Sequence, residues 1–362
     1  MKKALSLTLA IVMVFALCAC GQQAAAPKTE APAGAPAAES AAAAPAAEPA
    51  VAPEAAPAPS AADSWPSAPI TLYVGFSAGG SSDLQARYVA AELGNILGVS
   101  VVVENVPGSA GALCYSQVLN ECERDGYSFC LANMPALDMG KYDEANPREF
   151  GVDDFDLICN HVTDYNVLAI RNDETRFTDI DSLVAYSKEN GPLLVGAAAT
   201  GITSDDATIL QKLNTGLGLE YEIVPTGGSK ETETLFIQGN ADILIANVAD
   251  VTVAHNAGQY KVLCVFSEER SGMLPDVPAF AELGYDVSIV NFSARGYAYP
   301  KGVDEAIIAK MAAALEQAIN SETVMTQMSE LGAEIDFRAP EAYNALIEAD
   351  IASGCAAFGV NP

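Results

Sequence analysis

The stretch Gly75-Phe-Ser-Ala-Gly-Gly-Ser-Ser-Asp83 (GFSAGGSSD) joins a short apolar run to a segment of helical periodicity. The preceding run, Ile70–Val74 (ITLYV), is rich in β-branched and aromatic residues, which predicts a buried strand. A small, glycine-rich connection leaves backbone N–H groups free at the N-terminus of the following helix, where an anion can bind. The alternative is an ordinary tight turn in which Ser82 or Asp83 caps that helix.

Three later stretches repeat this order of strand, small residues and helix. They are Glu104–Ala112 (ENVPGSAGA), Gly196–Asp205 (GAAATGITSD) and Pro225–Ser229 (PTGGS). Four such connections would place several helix N-termini and their unpaired amides around one cleft. Neither GxxxxGK[ST] nor GxGxxG occurs in the chain, so these loops are not P-loops or dinucleotide-binding motifs.

Strand and helix signals alternate along the rest of the chain. Helical periodicity predicts helices at residues 83–97, 111–120, 179–189, 204–214, 229–238, 303–320 and 340–352. Apolar runs between them predict strands, among them FDLICNHV and NVLAIR. Around the two histidines, HVTDYN predicts a strand that connects parts of the fold, and VAHNAG predicts the end of a helix. This alternation predicts an α/β fold with mostly parallel sheets and a ligand site at the carboxyl ends of the strands.

The N-terminus has the pattern of an export signal. Two lysines precede an apolar run at residues 4–17, which is too short to span a bilayer as a helix. The run ends in LCAC, which resembles a bacterial lipobox and predicts a signal peptide over residues 1–20 with lipidation of Cys20. Cleavage of an ordinary secretion signal nearby is the alternative. Residues 21–63 are almost all Ala, Pro and Glu, which predicts a disordered tether between the anchor and an extracytoplasmic body.

The charge balance restricts the possible partners. The chain has 47 acidic and 18 basic residues and a formal net charge of −29. Binding of nucleic acid through a basic face is therefore excluded. The same field disfavours anions at long range, so an anion site would have to be local, built from backbone amides, hydroxyl groups or a single arginine.

The sequence carries no catalytic or metal-binding signature. HExxH is absent, no motif pairs a serine with a histidine, and the two histidines, His161 and His255, stand alone, so no enzymatic activity and no cofactor is predicted. Beyond residue 20 the cysteines are widely spaced and form no CxxC pair, which argues against a zinc site. Cys114 and Cys122 could form a disulfide, but the sequence does not decide this.

Five stretches together resemble a known family. In chain order they are WPSAPITLYVGFSAGGSSD, VVVENVPGSAGA, ERDGYSF, YEIVPTGGS and RSGMLPDVPAFAELGY. This ordered set is similar to the substrate-binding proteins of tripartite tricarboxylate transporters, the Bug family, over nearly all of residues 65–362. The resemblance implies a two-lobed periplasmic-binding-protein fold of type 2, which closes on a small carboxylate and delivers it to the permease subunits in the membrane. One lobe would comprise residues 64–165 with 285–362, and the other residues 166–284.

The resemblance also implies which residues bind the ligand, because family members hold a carboxylate with the first strand–helix loop and a small-residue loop of the second lobe. Carried over to this sequence, the residues are Ser77, Ala78, Gly79, Gly80 and Ser81 in the first loop, Ala197, Ala198, Thr200, Gly201, Thr203 and Ser204 in the second, and Thr226, Gly227 and Asn247 along the wall.

The sequence departs from the family pattern at three places. Val106 stands where family members often have arginine, Asp205 where they often have histidine, and Thr226 where they often have tyrosine. The loss of a cation and an aromatic ring, with Asp205 beside Asp206, makes a bulky tricarboxylate less suitable. Two adjacent acids could instead suit a ligand with an amine, such as an amino acid. The alternative is that both acids only cap a helix.

Two more charged residues have open roles. Asp83 could reach a hydroxyl or amine of the ligand, or only cap its helix. Arg295 lies near the predicted lobe junction and could bind a carboxylate with its planar guanidinium, or form a structural salt bridge. A receptor that senses a ligand for a signalling partner would share all these features with a transport receptor.

Overall fold

The computed structural model describes residues 64–197, 201–226, 228–287 and 289–362. The predicted signal peptide, the lipidated Cys20 and the predicted tether lie outside these residues. The strands are β1 (Ile70–Val74), β2 (Val101–Asn105), β3 (Ser128–Met134), β4 (Phe155–Arg171), β5 (Leu193–Ala197), β6 (Tyr221–Pro225), β7 (Leu244–Asn247), β8 (Tyr260–Val265) and β9 (Phe292–Pro300). The α-helices are α1 (Ser81–Leu97), α2 (Ala112–Glu121), α3 (Ile180–Asn190), α4 (Asp205–Leu217), α5 (Ser229–Ile237), α6 (Val248–Asn256), α7 (Glu305–Ile319), α8 (Glu322–Glu330) and α9 (Pro340–Phe358).

The main sheet has the order β2-β1-β3-β9-β4-β7, and β8 also pairs with β4. The strand–helix–strand units are parallel, since β1 pairs with β2 and β3 in this way and β5 pairs with β6. The long strands β4 and β9 are antiparallel to their neighbours. The α/β fold with parallel units is thus present, and antiparallel strands connect its parts.

Strand β4 links the two parts of the fold. Its first part, Phe155–Tyr165, pairs with β9, and its last part, Asn166–Arg171, pairs with β7 and β8. The sequence predicts strand structure at FDLICNHV, HVTDYN and NVLAIR, although the polar run Thr163–Asn166 interrupts the apolar pattern. In the structure these stretches form one strand of 17 residues, since these polar groups find partners across the sheet.

Each of the two lobes has its own apolar core. One core packs α1 and α7 against the β1–β3 region and includes the buried residues Leu72, Phe129 and Met311. The other packs α3 and α4 against β5 and β8 and includes Leu210 and Phe280. Burial of a side chain of this size contributes about 1.5–3 kcal/mol, so each lobe is stabilised by its own apolar contacts. The residue boundaries of the lobes stay a prediction.

Helix α8 was not expected from the sequence, and of α6 the sequence indicates only the end, at VAHNAG. Helix α6 follows β7 directly, with no turn residues between them. In contrast, the run VSIV, which was read as a strand, does not form one at its described positions. Ile289 in this run packs into the core without pairing in a sheet. Among the described residues, no helix has both the length and the apolar character needed to cross a bilayer.

Candidate functional site

A cavity of about 360 Å³ lies between the lobes. Five helices border it with their N-termini, α1, α2, α4, α5 and α6. Each contributes its first residue or its N-cap to the lining: Ser81, Gly111, Ser204, Gly228 and Asn247. The positive ends of several helix dipoles therefore meet at one place.

Most of these helix starts lack a side-chain cap. The N-caps of α1, α2, α5 and α6 make no side-chain hydrogen bond to the first turn. Only in α4, among these five, does the N-cap accept one, from the N–H of Ala207 to the Oγ of Ser204 at 3.2 Å. Uncapped first turns carry N–H groups without intrahelical partners. In α6 the N–H of Ala249 donates to Oδ1 of Asp164 at 3.2 Å, and such groups at the other helix starts can donate to an anionic ligand.

The glycines of the GFSAGGSSD loop have separate structural roles. A Cβ on Gly75 would lie only 2.7 Å from the Cα of Gly111, so the first and second loops can touch here only because Gly75 has no side chain. Gly79 has a φ of +82°, which favours glycine. Gly80 is the N-cap of α1. The serines at positions 77 and 81 line the cavity.

Asp83 holds the GFSAGGSSD loop in place through hydrogen bonds and does not itself line the cavity. Because α1 begins at Ser81 with Gly80 as its N-cap, the prediction that Ser82 or Asp83 caps the helix is wrong. The carboxylate of Asp83 accepts hydrogen bonds from the N–H of Gly79 at 2.7 Å and from Arg87 at 3.0 Å. The side-chain amide of Asn105 donates to it at 2.9 Å. Burial works to raise the pKa of Asp83, but these hydrogen bonds together hold it below its usual value.

One side of the cavity is acidic. Asp205, Asp206 and Asp250 all line it. Asn166 and Asn247 donate to Oδ2 of Asp205 at 3.1 and 3.0 Å, whereas Asp206 receives only a 3.5 Å contact from Asn166. Burial, reinforced by the charges of Asp205 and Asp250, raises the pKa of Asp206 well above its usual value. Since Ser204 is the N-cap, neither Asp205 nor Asp206 caps α4, but both lie in its first turn, where the helix dipole favours an acid.

Arg295 belongs both to the cavity and to a buried ion pair. It lines the cavity, and its Nη1 lies 3.1 Å from Oδ2 of Asp164, with side-chain exposures of 6% and 4%. Its Nε has no acceptor among the described residues. Burial raises the pKa of Asp164 to about 6, although Arg295 opposes the shift. Both roles suggested by the sequence are thus geometrically open to Arg295.

The structure brings together part of the predicted site. The predicted residues that line the cavity are Ser77, Ser81, Thr203, Ser204, Asp205, Asn247 and Arg295. The predicted residues that are described but lie outside this lining are Ala78, Gly79, Gly80, Asp83, Ala197, Gly201 and Thr226. Ala198, Thr200 and Gly227 lie outside the described residues. Thr226 does not line the cavity but contacts a residue that does, since its hydroxyl lies 2.7 Å from that of Thr232.

Sequence reasoning missed several lining residues. Pro107–Gly111 was recognised as one of the four small-residue loops but was not assigned to the site. Asn133 lies at the carboxyl end of β3, where its side chain connects Ser82 (3.3 Å) to Ser293 (3.2 Å). The rule that ligands bind at carboxyl ends of strands could have indicated Asn133, whereas no sequence signal marks Asp250.

The described residues contain neither a metal-holding cluster nor paired cysteines. They contain no group of three or more His, Cys, Asp or Glu residues arranged to hold a metal ion. The six cysteines of this part of the chain, including Cys114 and Cys122, carry free thiols.

The chain is similar to known proteins over most of its length. The family model described as "Tripartite tricarboxylate transporter family receptor" matches residues 85–355. Protein BugT of Bordetella pertussis is 28% identical over 308 residues, which covers 81% of this chain and 89% of the relative.

Solved structures also resemble this chain over most of its length. The periplasmic binding protein BugD superposes with a TM-score of 0.67 at 26% identity, over 82% of this chain and 98% of BugD. MatC from Rhodopseudomonas palustris, solved with bound malate, has a TM-score of 0.68 at 25% identity, over 81% of this chain and 99% of MatC. Because the family model covers most of the chain, the protein belongs to the receptors of the tripartite tricarboxylate transporter family.

Proposed function

We propose that the protein is a solute-binding receptor that captures a small carboxylate between its lobes and delivers it to the membrane subunits of a tripartite tricarboxylate-type transporter. The observation that carries the proposal is the convergence of five helix N-termini on one cavity, four of them without a side-chain cap. Backbone donors and helix dipoles can bind a carboxylate even though the chain as a whole has a net charge of −29.

Binding would proceed by lobe closure. The lining hydroxyls of Ser77 and Ser81 belong to one lobe and those of Thr203 and Ser204 to the other. A ligand that contacts both sets interacts more strongly with the closed form than with the open one, and so shifts the population towards closure. The strand β4, which pairs with both parts of the sheet, is suited to act as the connection about which the lobes move.

The cellular setting is part of the proposal. The lipobox-like sequence supports attachment through a lipidated Cys20 and an extracytoplasmic location. A receptor in this position could pass ligand to permease subunits in the same membrane. The family model that matches residues 85–355 describes receptors, which supports a binding role.

A thermal unfolding screen of the mature protein would test this function. Malate, succinate, adipate, citrate, benzoate and aspartate are compared with neutral sugars, and at least one carboxylate should raise the unfolding temperature, since a ligand at about 100 times its Kd stabilises the folded state by about 2.7 kcal/mol. Stabilisation by neutral sugars alone would contradict the proposal.

The position of the site has its own check. Ser81→Ala removes a hydroxyl from the cavity lining and should weaken binding of the carboxylate found in the screen. Ser329→Ala, on the exposed surface of α8, is the matched control and should bind as the unchanged protein does. Equal binding by both variants would place the ligand elsewhere.

A further inference from the structure

The charged groups around the cavity are unevenly distributed. Three carboxylates line it, those of Asp205, Asp206 and Asp250, and Arg295 is the one cation in the described lining. Arg295 is already paired with Asp164 behind it, through the 3.1 Å contact of Nη1. These five charged groups are four acids and one base, with a formal charge of −3 when all are ionised, so acids outnumber bases at the cavity before any ligand enters.

The three lining acids differ in how well the protein satisfies them. Asp205 accepts two amide hydrogen bonds near 3.0 Å. Burial raises the pKa of Asp250, and Arg295 and Ser229 act against this rise. Asp206 receives only the 3.5 Å contact from Asn166, which is at the limit of a hydrogen bond. No arginine or lysine forms an ion pair with any of the three among the described residues.

A separate observation points to a ligand at the same cavity. The side chain of Arg295 is only 6% exposed, lines the cavity, and leaves its Nε without an acceptor among the described residues. A buried guanidinium N–H without a partner is costly and is normally satisfied. A ligand carboxylate that reaches Arg295 and the uncapped start of α1 would supply acceptors on this side, while the acidic side remains without a cation.

We propose that the ligand is a small carboxylate that also carries an ammonium group, with the ammonium held by Asp206 and Asp250 and the carboxylate by Arg295 and the uncapped helix starts. This assignment rests on the proposed receptor function and narrows its ligand class. An ammonium donates up to three hydrogen bonds, and bonds between charged partners are about twice as strong as neutral ones. A plain dicarboxylate would instead bring a second negative charge against three acids, in a cavity where Coulomb repulsion is stronger than in water.

A competing arrangement, in which Asp206 is protonated, predicts that ligand binding depends on pH in the opposite way to binding of an ammonium. Because burial favours the neutral form of Asp206, a protonated Asp206 could donate to a second ligand carboxylate. The charged groups nearby are Asp205 on the same helix and Asp250 on α6, and Arg295 and Lys230 act on Asp250. An ammonium needs ionised Asp206, so binding would release a proton and tighten as the pH rises. A second carboxylate needs protonated Asp206, so its binding would weaken as the pH rises.

Calorimetric titration of the mature protein with matched ligand pairs tests the ammonium site. The pairs are aspartate and succinate, glutamate and glutarate, and alanine and propionate, which differ by the amino group. We expect the amino member of at least one pair to bind about tenfold more tightly or better, and to bind more tightly at pH 8 than at pH 6. Equal or tighter binding of the member without the amino group in every pair would overturn the inference, and so would a reversed pH dependence.

Two isosteric variants locate the ammonium. Asp206→Asn and Asp250→Asn should each reduce affinity for the amino member about tenfold or more, and leave its partner little changed. Asp276→Asn, an exposed acid outside the lining, is the control. Circular dichroism verifies that each variant is folded, and wild-type affinity in both folded variants would refute the site.

The outcomes also separate the two proposals. If succinate or glutarate binds and the amino members do not, the receptor function stands and the ammonium site fails. If no carboxylate of either kind binds, both proposals fail.

Discussion

Asp83 shows how a single residue can support a binding loop without contacting the cavity. Its carboxylate holds the N–H of Gly79, the guanidinium of Arg87 and the amide of Asn105 at 2.7–3.0 Å. Asp83→Asn removes the charge and replaces one acceptor oxygen by a donor. We expect it to lower the free energy of unfolding by about 1–3 kcal/mol, measured by urea denaturation at pH 7.

The pH dependence gives a sharper check of the same residue. The folded-state pKa of Asp83 lies below its usual value, so its stabilising contribution is present above the unfolded pKa of about 4 and is lost as the pH falls through the folded value. The difference between wild type and Asp83→Asn should therefore shrink below about pH 4. An equal loss in Asp276→Asn, or a pH-independent difference, would show that the charge of Asp83 is not responsible.

The residue types in the sequence predicted some residues of the cavity lining but not all of them. The serines and threonines of the small-residue loops were identified because hydroxyls beside glycine at a helix start suit anion binding, and Ser77, Ser81, Thr203 and Ser204 do line the cavity. Asp250 was not predictable. It lies within α6, and only the packing of that helix brings its side chain to Asp206 from a distant part of the chain.

At the scale of elements, the first two strand–helix loops depend on each other. Gly75→Ala would place a Cβ 2.7 Å from the Cα of Gly111, and backbone atoms cannot give way as a flexible side chain can. Because both loops line the cavity, we expect this substitution to separate them and to reduce ligand affinity more than about tenfold, measured by titration with the carboxylate found in the screen.

A substitution at a second glycine, Gly79, tests whether ligand affinity depends on the contact between the two loops or on the backbone conformation of the first loop. Gly79 has a φ of +82° and open space around its Cβ position. Gly79→Ala should therefore cost about 1–2 kcal/mol of stability through strain without pushing the loops apart. If Gly75→Ala binds as tightly as Gly79→Ala, the loop–loop contact is not needed for the site.

Elements were predictable where the hydrophobic period was clean. Helix α7 has an apolar stripe that includes Ile307, Met311 and Leu315, and its existence follows from that period. Strand structure through HVTDYN is predictable as well, but nothing in the sequence shows how a strand can hold Asp164 and Asn166. They are buried in the strand since Asp164 pairs with Arg295 of β9 and Asn166 bonds to Asn291 at 2.7 Å, contacts between positions more than 120 residues apart in sequence.

For the whole molecule, the buried acids set the response to pH. Burial raises the pKa of Asp164 and of Asp350 to about 6, and it raises those of Asp138 and Asp206 well above their usual value. Asp350 faces Asp138, which favours one shared proton. For an acid with a raised folded pKa, stability is fully present below the unfolded pKa of about 4 and is lost as the pH rises through the folded value.

His161 changes the pH dependence of stability in the opposite direction, but it is a single group, whereas the buried acids are several. Burial, with a smaller effect of Arg295, lowers its pKa to about 3. Its contribution is therefore present above the unfolded pKa of about 6.5 and is lost as the pH falls. Between about pH 4 and 6 the acids outnumber it, so the sum of these effects decreases stability as the pH rises. Above that range, repulsion within a chain of net charge −29 acts in the same direction.

We therefore expect the ligand-free protein to be most stable at about pH 4–5 and to lose stability steadily towards pH 8. Urea denaturation curves at intervals of about one pH unit would measure this, and added salt should recover part of the loss at pH 8 because it screens the repulsion. Asp350→Asn removes one member of the buried acid pair and should flatten the alkaline side of the curve, whereas Asp276→Asn, an exposed acid, should leave its shape unchanged. Stability that stays constant or rises up to pH 8 in the unchanged protein would mean that these acids are ionised in the folded state without cost, and the buried Asp138–Asp350 pair would then not share a proton.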